Sequence, residues 1–473
     1  MPQIQAVTQQ ILKKITPKPA ERSKVEALSR ELEQKISAAC KSEGVTATVR
    51  VEGSVAKDTW LSENPDIDVF MRLPTSIPRK NLGDVGLRIA KKAAGDAEQL
   101  ERFAEHPYLE IFVDGYRVDI VPCYDAKPGE WQSATDRTPY QTDYIKARLG
   151  KELRGEVRLL KRFMQGIGVY GAEIKVGGFS GYLCELLVMK FGSFEGVVEA
   201  FARYSQRVVI DIEGFYANRK NELALLFSEP LVIVDPVDKG RNVASAVQPH
   251  KLYTFIAAAR AFQKSPAETF FYPPKPQALS AEALQCEFVN RGSALVFLIT
   301  GGVKAVPDVL WGQLFRSKRS LRTMLELSDF KVLQDSVWSD EKTLSAFVFE
   351  LEQQKLPNIK KHLGPPLERE VECQKFLTKY TADKRVISGP YVEDGRWMVM
   401  LPRKTTDAAV LLREKLADGG KNAGAAELIA KAMQKNLKVL VDCEVLEVYS
   451  GNREFAEFLT DFLLGKPFWL KAQ

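Results

Sequence analysis

Two runs rich in β-branched and aromatic residues, Tyr108–Val113 and Tyr116–Val121, are separated only by Asp114-Gly115. Asp-Gly between two such runs is the strongest short-range signal for a two-residue hairpin. The turn sets the register: Val113 faces Tyr116, Phe112 faces Arg117, Ile111 faces Val118 and Glu110 faces Asp119. One side of the hairpin then offers Ile111, Val113, Tyr116 and Val118 to a core. The other side carries Glu110, Phe112, Arg117 and Asp119. Carboxylates directly opposite one another on a ladder destabilise it, so this pair points to a cation nearby.

A second acidic pair lies upstream. Asp66–Arg72 reads as a strand, in which Asp66 and Asp68 project from one face while Ile67 and Val69 face the core. Oxygen ligands at that spacing suit Mg²⁺, which takes one or two carboxylates together with substrate phosphates. Thr46–Val51 reads as another strand, and Glu52-Gly53-Ser54 as the turn after it. The absence of bulk at Gly53 and the hydroxyl of Ser54 let the backbone approach a phosphate, and Lys57 adds positive charge. Taken singly, these features are ordinary: Asp-x-Asp occurs on solvated strand edges, Gly-Ser in turns, and Asp119 can simply pair with Arg117. In order, they describe metal-assisted nucleotidyl transfer, with Asp66, Asp68 and Asp119 as the metal ligands.

The chain of 473 residues is long enough for about three domains, and its 45% hydrophobic and 27% charged residues are those of a globular protein. No apolar run reaches the roughly 18 residues of a membrane span, and the N-terminal residues lack a secretory pattern. A soluble, cytoplasmic protein with no membrane partner is therefore expected. Six scattered cysteines and three histidines contain no Cys-x-x-Cys pair, so zinc and iron-sulfur ligation have no support. No histidine has an identifiable triad partner, which disfavours serine or cysteine hydrolysis. The net charge of +6 is a mild hint of an anionic partner.

Residues 6–43 read as two helices broken near Pro17–Pro19, with Leu28, Leu32 and Ile36 on one stripe. Strands follow up to about residue 125, which predicts an α+β head with a mostly antiparallel sheet over residues 1–141. Residues 142–265 read as a helical neck, with long helices at Asp143–Ile167 and Ser180–Tyr204. A proline-rich stretch, Ser265–Pro276, marks a boundary. Residues 266–473 read as a mixed α/β body and tail, with strands at Glu287–Thr300 and Trp397–Leu401 and a helix at Thr406–Leu416. On the neck, Arg158, Lys161 and Arg162 stand at i, i+3 and i+4 and would form a positive ridge. Tyr170, between Gly168 and Gly171, can expose its ring to a base. The loop Gly177–Gly181 could cradle a phosphate, but Ser180 as a helix N-cap is preferred.

Beyond these parts, whole words of the sequence resemble the class I, archaeal-type CCA-adding enzymes of the DNA polymerase β-like nucleotidyltransferase superfamily. They include Arg117-Val118-Asp119-Ile120-Val121-Pro122, Asp136-Arg137-Thr138-Pro139-Tyr140, Gly168-Val169-Tyr170-Gly171, Gly178-Phe179-Ser180-Gly181-Tyr182-Leu183-Cys184-Glu185-Leu186 and Asp235-Pro236-Val237-Asp238. The resemblance implies template-independent building and repair of the tRNA CCA end from CTP and ATP. It implies Asp66, Asp68 and Asp119 as catalytic metal carboxylates, Asp66 being a shorter version of the Glu common in relatives. Gly53, Ser54 and Lys57 fall at nucleotide contacts, with Arg common in relatives at the last. Lys161 and Tyr170 match positions that hold the triphosphate and the nucleotide, and Arg241 one near the incoming base. Relatives often carry a nucleotide-contacting His after Asp-Arg-Thr. Here Tyr140-Gln141-Thr142 stands instead, which leaves Thr142 at that place.

The C-terminal third carries basic clusters at Arg316, Lys318, Arg319 and Arg322 and at Lys360-Lys361-His362. Isolated runs of this kind are commonly solvated faces, but the resemblance implies a body and tail that grip tRNA. Two other readings stand beside this one: a poly(A) polymerase-like nucleotidyltransferase, and a non-catalytic RNA-binding protein on the same scaffold. A homodimer is kept among the assemblies.

Overall fold

The computed structural model of the chain describes residues 2–62, 65–103, 106–275 and 277–470. These form two compact units, the first running to residue 275 and including the residues from 466 on, the second spanning 276–465. Among the described residues no helix is long and apolar enough to cross a membrane.

The first unit opens with helices α1 (Pro2–Ile15) and α2 (Pro19–Ser42), broken at the expected prolines. Strand β1 (Thr48–Glu52) runs into the one-turn helix α3 (Gly53–Ala56), then β2 (Asp66–Leu73), α4 (Arg79–Ala94), β3 (Glu98–Phe103), β4 (Pro107–Val113) and β5 (Tyr116–Tyr124). The five strands lie in the order β1-β2-β5-β4-β3. Neighbours are antiparallel except β2 and β5, which run parallel. The β4–β5 turn takes the expected register, Glu110 opposite Asp119 and Val113 opposite Tyr116. Both turn residues have positive φ (51° and 81°), as a type I′ turn needs. Alternation does the rest. Ile67, Val69, Ile111, Val118 and Ile120 pack under Leu28, Leu32 and Ile36 of α2 and Leu82 and Ile89 of α4. The opposite, polar face of the sheet is left for chemistry.

Residues 138–264 build a second core in the same unit. Helices α5 (Thr138–Arg148) and α6 (Leu153–Gly166) replace the single helix expected over Asp143–Ile167, and α7 (Gly181–Phe191) and α8 (Phe194–Ala202) replace the one over Ser180–Tyr204. The second break has a local cause: Gly192 ends α7 at φ +79°, and the Ser193 hydroxyl caps α8. The expected boundary at 141/142 falls inside α5. A small sheet of β6 (Val208–Ile210), β7 (Leu231–Asp235) and β8 (Asp238–Asn242) follows, with α9 (Lys220–Leu226) between β6 and β7 and α10 (Pro249–Lys264) after it. Phe163 meets Phe194, Phe255, Phe262, Phe270 and Phe271 at ring distances of 5.3–6.3 Å. Because Phe270 and Phe271 belong to this core, the first unit extends past the expected boundary at 265/266. Pro276, which ends the proline-rich stretch, lies outside the described residues. Trp469 stacks on Phe270 at 5.5 Å, which ties the end of the chain to the first unit rather than to the body expected over 266–473.

The second unit alternates helices and strands: α11 (Ala281–Arg291), β9 (Ala294–Gly301), α12 (Pro307–Leu327), β10 (Val332–Ser339), β11 (Leu344–Leu351), β12 (Ile359–Pro366), α13 (Glu370–Thr381), β13 (Ser388–Glu393), β14 (Arg396–Pro402), α14 (Ala408–Lys415), α15 (Glu427–Asn436), β15 (Leu437–Val441), α16 (Leu446–Gly451) and α17 (Arg453–Leu464). They form two antiparallel sheets, β10-β11-β9-β15 and β12-β14-β13. The strand expected over Glu287–Thr300 begins only at Ala294, since residues up to 291 finish α11. The helix expected over Thr406–Leu416 starts at Ala408, capped by the Asp407 carboxylate.

Candidate active site

Strand register places four carboxylates in one row across the polar face: Glu52 on β1, Asp68 on β2, Asp119 on β5 and Glu110 on β4. The two outer ones are buried and each has its own arginine. Glu52 accepts from Arg50 at 2.6 and 3.1 Å, and Glu110 from Arg102 at 2.8 Å. The inner pair is less well matched. Asp119 lies 3.7 Å from Arg117, and its Oδ1 is buried with no hydrogen-bond partner among the described residues. Asp66, one step along β2, accepts from Arg117 at 2.9 Å. An acidic cluster with a deficit of positive charge at its middle is what a divalent cation would complete. Among the described residues no three acidic, histidine or cysteine side chains close around an ion by themselves.

Electrostatics fit this arrangement. Burial, reinforced by the carboxylates of Asp68, Glu110 and Asp66 and opposed by Arg117, pushes Asp119 up to about 7. Burial and the neighbouring Asp66 push Asp68 up to about 6, against the pull of Lys57, Arg117 and Lys161. Burial also raises Asp66, with Arg117 opposing. Carboxylates with folded values this high give stability that is complete below about 3.9 and is lost as pH rises through about 6 and 7. In EDTA, the thermal midpoint should therefore fall between pH 5 and pH 8. Asp119→Asn should recover part of that fall at pH 8 and change little at pH 5. Equal midpoints for variant and wild type at pH 8 would show that Asp119 carries no such strain.

Gly53 explains how the row is reached from β1. Its φ is +65°, and a Cβ there would lie 1.9 Å from Asp68 Oδ2. Only glycine allows the turn to close onto the Asp68 carboxylate. Ser54, Asp66, Arg117, Lys161 and Tyr170 line one cavity of about 590 Å³ beside it.

The basic residues behave differently from the sequence expectation. Arg158 is buried and donates to the carbonyls of Asp58 and Trp60 at 2.6 and 2.9 Å, so no open positive ridge forms on α6. Lys57 is also buried, its Nζ 2.6 Å from Glu185 Oε2. Lys161 is buried at the cavity wall and donates to the Thr59 hydroxyl at 3.0 Å, to the Thr59 carbonyl at 3.1 Å and to Glu185 Oε1 at 3.4 Å. Tyr170 pairs with Phe179 in a short bridge, and Ser180 caps α7 as expected. Thr142 is buried within α5, away from the cavity lining, and its hydroxyl has no partner among the described residues. Arg241 is half-buried and donates to Asp235 at 2.7 Å. Asp235 also receives Gln141 at 2.7 Å and Tyr182 at 3.0 Å. In the second unit, Lys318 and Arg322 both close on Asp335 at 2.5 and 2.6 Å, whereas Arg316 and Arg319 are exposed.

Sequence reasoning left Glu185 and Asp235 without a role. Each gives a readable signal: a lone acid in an otherwise apolar helix stretch, and one ending an apolar strand, both fully buried. Such groups require partners.

The chain matches family models along most of its length. The nucleotidyltransferase domain model covers residues 33–141, the tRNA nucleotidyltransferase second-domain model 155–272, and the CCA-adding enzyme C-terminal domain model 291–442. It is 39% identical to a CCA-adding enzyme of Methanosarcina barkeri over 86% of this chain and 88% of that one. With a CCA-adding enzyme of Methanosarcina mazei it shares 37% identity over 95% and 96% of the two chains. Among solved structures, E. coli MS115-1 CdnC with ATP aligns with a TM-score of 0.44 at 20% identity, covering 57% of this chain and 94% of that one.

Proposed function

Since the chain belongs to the CCA-adding enzymes, the tRNA nucleotidyltransferases that add CCA without a template, we propose that Asp66, Asp68 and Asp119 perform that addition with Mg²⁺. The observation that carries this reading is the acidic row whose outer members have arginines while its middle lacks matching charge. When bound there, Mg²⁺ would make the RNA 3′-hydroxyl a better nucleophile and stabilise charge on the departing pyrophosphate. The chain's own residues provide the rest. Gly53 and Ser54 bring the backbone and a hydroxyl to the phosphates, and Lys161 offers its ammonium from the cavity wall. The Tyr170 ring supports the nucleotide. Arg241, held by Asp235, faces the base, and Lys57 acts from behind through Glu185; Thr142, buried in α5, takes no part in this reading.

Functionally we keep a head, a neck, and a body with tail, working in the cytoplasm on tRNA, CTP and ATP, with a homodimer as the assembly to test. For RNA the supporting feature is a cleft of about 650 Å³ in the second unit, lined by Lys360, Lys379, Arg385, Arg403, Lys404 and Lys415. It adjoins a second depression that shares Lys415 and contains Arg319. Lys360 and Arg403 are paired with Asp329. Lys379, Lys404, Lys415 and Arg319, with Arg316 on the same helix, are therefore the better phosphate contacts than Lys318 or Arg322.

The test is incubation with tRNA lacking CCA and all four labelled nucleoside triphosphates. Two C and one A should be added before the reaction stops. A lengthening homopolymer would support the poly(A) reading, and no incorporation the non-catalytic one. In the same assay, Ala at Lys379, Lys404 and Lys415 should raise the KM for tRNA. The log–log salt slope of binding should fall by about one for each RNA phosphate that is no longer neutralised. CTP affinity should stay unchanged.

A further inference from the structure

From the packing behind the cavity we infer that Glu185 is a positioning residue that holds the Lys161 ammonium in place to receive the nucleotide triphosphate. The inference rests on the proposed function, in which Lys161 contacts that triphosphate. Glu185 lies on α7, fully buried, and both of its oxygens are engaged. Oε2 accepts from Lys57 at 2.6 Å, and Oε1 from the Thr59 hydroxyl at 2.6 Å and from Lys161 at 3.4 Å. The same Thr59 hydroxyl accepts from Lys161 at 3.0 Å. One carboxylate thus fixes Lys57 and Thr59 from the stretch between α3 and β2, and Lys161 from α6.

The charge count explains why this matters. Glu185 faces two buried ammonium groups, so these three groups alone carry one surplus positive charge, which also pulls on Asp68 of the acidic row. Burying an unmatched charge is unfavourable unless a partner is at hand. Of the three, Lys161 lines the cavity shared by Ser54, Asp66 and Tyr170. The surplus is therefore presented where an anion can approach, and a lysine on a flexible stem is held in one position before the ligand arrives. A fixed donor loses less freedom on binding than one that must first be ordered. Glu185 itself does not line the cavity and acts through Lys161.

The test measures CTP and CMP affinity without RNA for the wild type, Lys161→Met, Glu185→Gln and the double variant. Lys161→Met should weaken CTP binding about tenfold or more, the scale of a charged hydrogen bond, and leave CMP within about twofold. Glu185→Gln should show the same selective loss, and the double variant should be no worse than Lys161→Met alone. If Lys161→Met weakens CTP binding and Glu185→Gln does not, the positioning role is wrong while the triphosphate reading stands. If Lys161→Met leaves CTP binding intact, the triphosphate reading itself is wrong. Equal loss of CTP and CMP in Glu185→Gln would reduce Glu185 to a structural group. Should Glu185→Gln fail to fold, Lys57→Met with Glu185→Gln keeps the surplus of one positive charge and should show the same CTP-selective loss; CTP binding equal to wild type would overturn the inference.

Discussion

Asp119→Asn should leave a folded chain that binds tRNA as well as wild type or better, and that adds both C and A far more slowly. The substitution keeps the shape of the side chain and removes the charge at the one buried carboxylate oxygen in the row that has no partner among the described residues. Metal ligands act on the transition state, so the loss should fall on the chemical step by about a thousandfold, or about 4 kcal/mol. Asp68→Asn should behave alike, because Asp68 and Asp119 are register partners on adjacent parallel strands. The losses should not add: removing one ligand already disables the shared site, so the triple variant should be little worse than either single one. Tighter tRNA binding is expected to the extent that negative charge near the RNA end has been removed. Near wild-type incorporation by Asp68→Asn or Asp119→Asn would remove the metal assignment.

Gly53→Ala should cost nearly as much, through geometry rather than charge. Alanine at φ +65° is strained by about 1 kcal/mol. Its methyl carbon would also stand 1.9 Å from Asp68 Oδ2, so either the carboxylate or the turn must move. Because the turn also carries Ser54, both the metal ligand and the phosphate contact shift. A displacement of about 1 Å in a reacting group costs about a hundredfold in rate, so the variant should lose at least that while the core under α2 and α4 stays intact. Incorporation kinetics beside a thermal melt would check this. A large drop in melting temperature with full residual activity would be the contrary outcome.

What was readable in the sequence follows from how local each determinant is. The β4–β5 register depends on a two-residue turn, so counting outward from Asp114-Gly115 is enough to set Glu110 opposite Asp119. Asp66 and Asp68 needed only the two-residue period of a strand. Lys57, Arg158 and Glu185 are different. Their charge is plain in the sequence, but Lys57 and Glu185 are 128 residues apart, and nothing local says that α7 will pack behind the turn after β1. Arg158 reads as part of an open positive ridge because helical spacing shows which residues share a face. It does not show that this face meets the carbonyls of Asp58 and Trp60. The small sheet β6-β7-β8 was missed for a related reason: strands of three to five residues carry too little periodicity to stand out. Thr142 and Arg241 were assigned by resemblance alone. Burial of Thr142 and the Asp235 tether on Arg241 are constraints that no motif reveals.

The central claim is that Asp66, Asp68 and Asp119 form one divalent-cation site completed by the nucleotide. The most direct measurement is binding of Mn²⁺, a spin-detectable substitute for Mg²⁺, to the chain with and without CTP. Wild type should bind Mn²⁺ more tightly when CTP is present, and Asp119→Asn should lose that gain by at least about tenfold while keeping tRNA affinity. Mn²⁺ binding that is the same in Asp119→Asn and wild type, with CTP present, would contradict the claim.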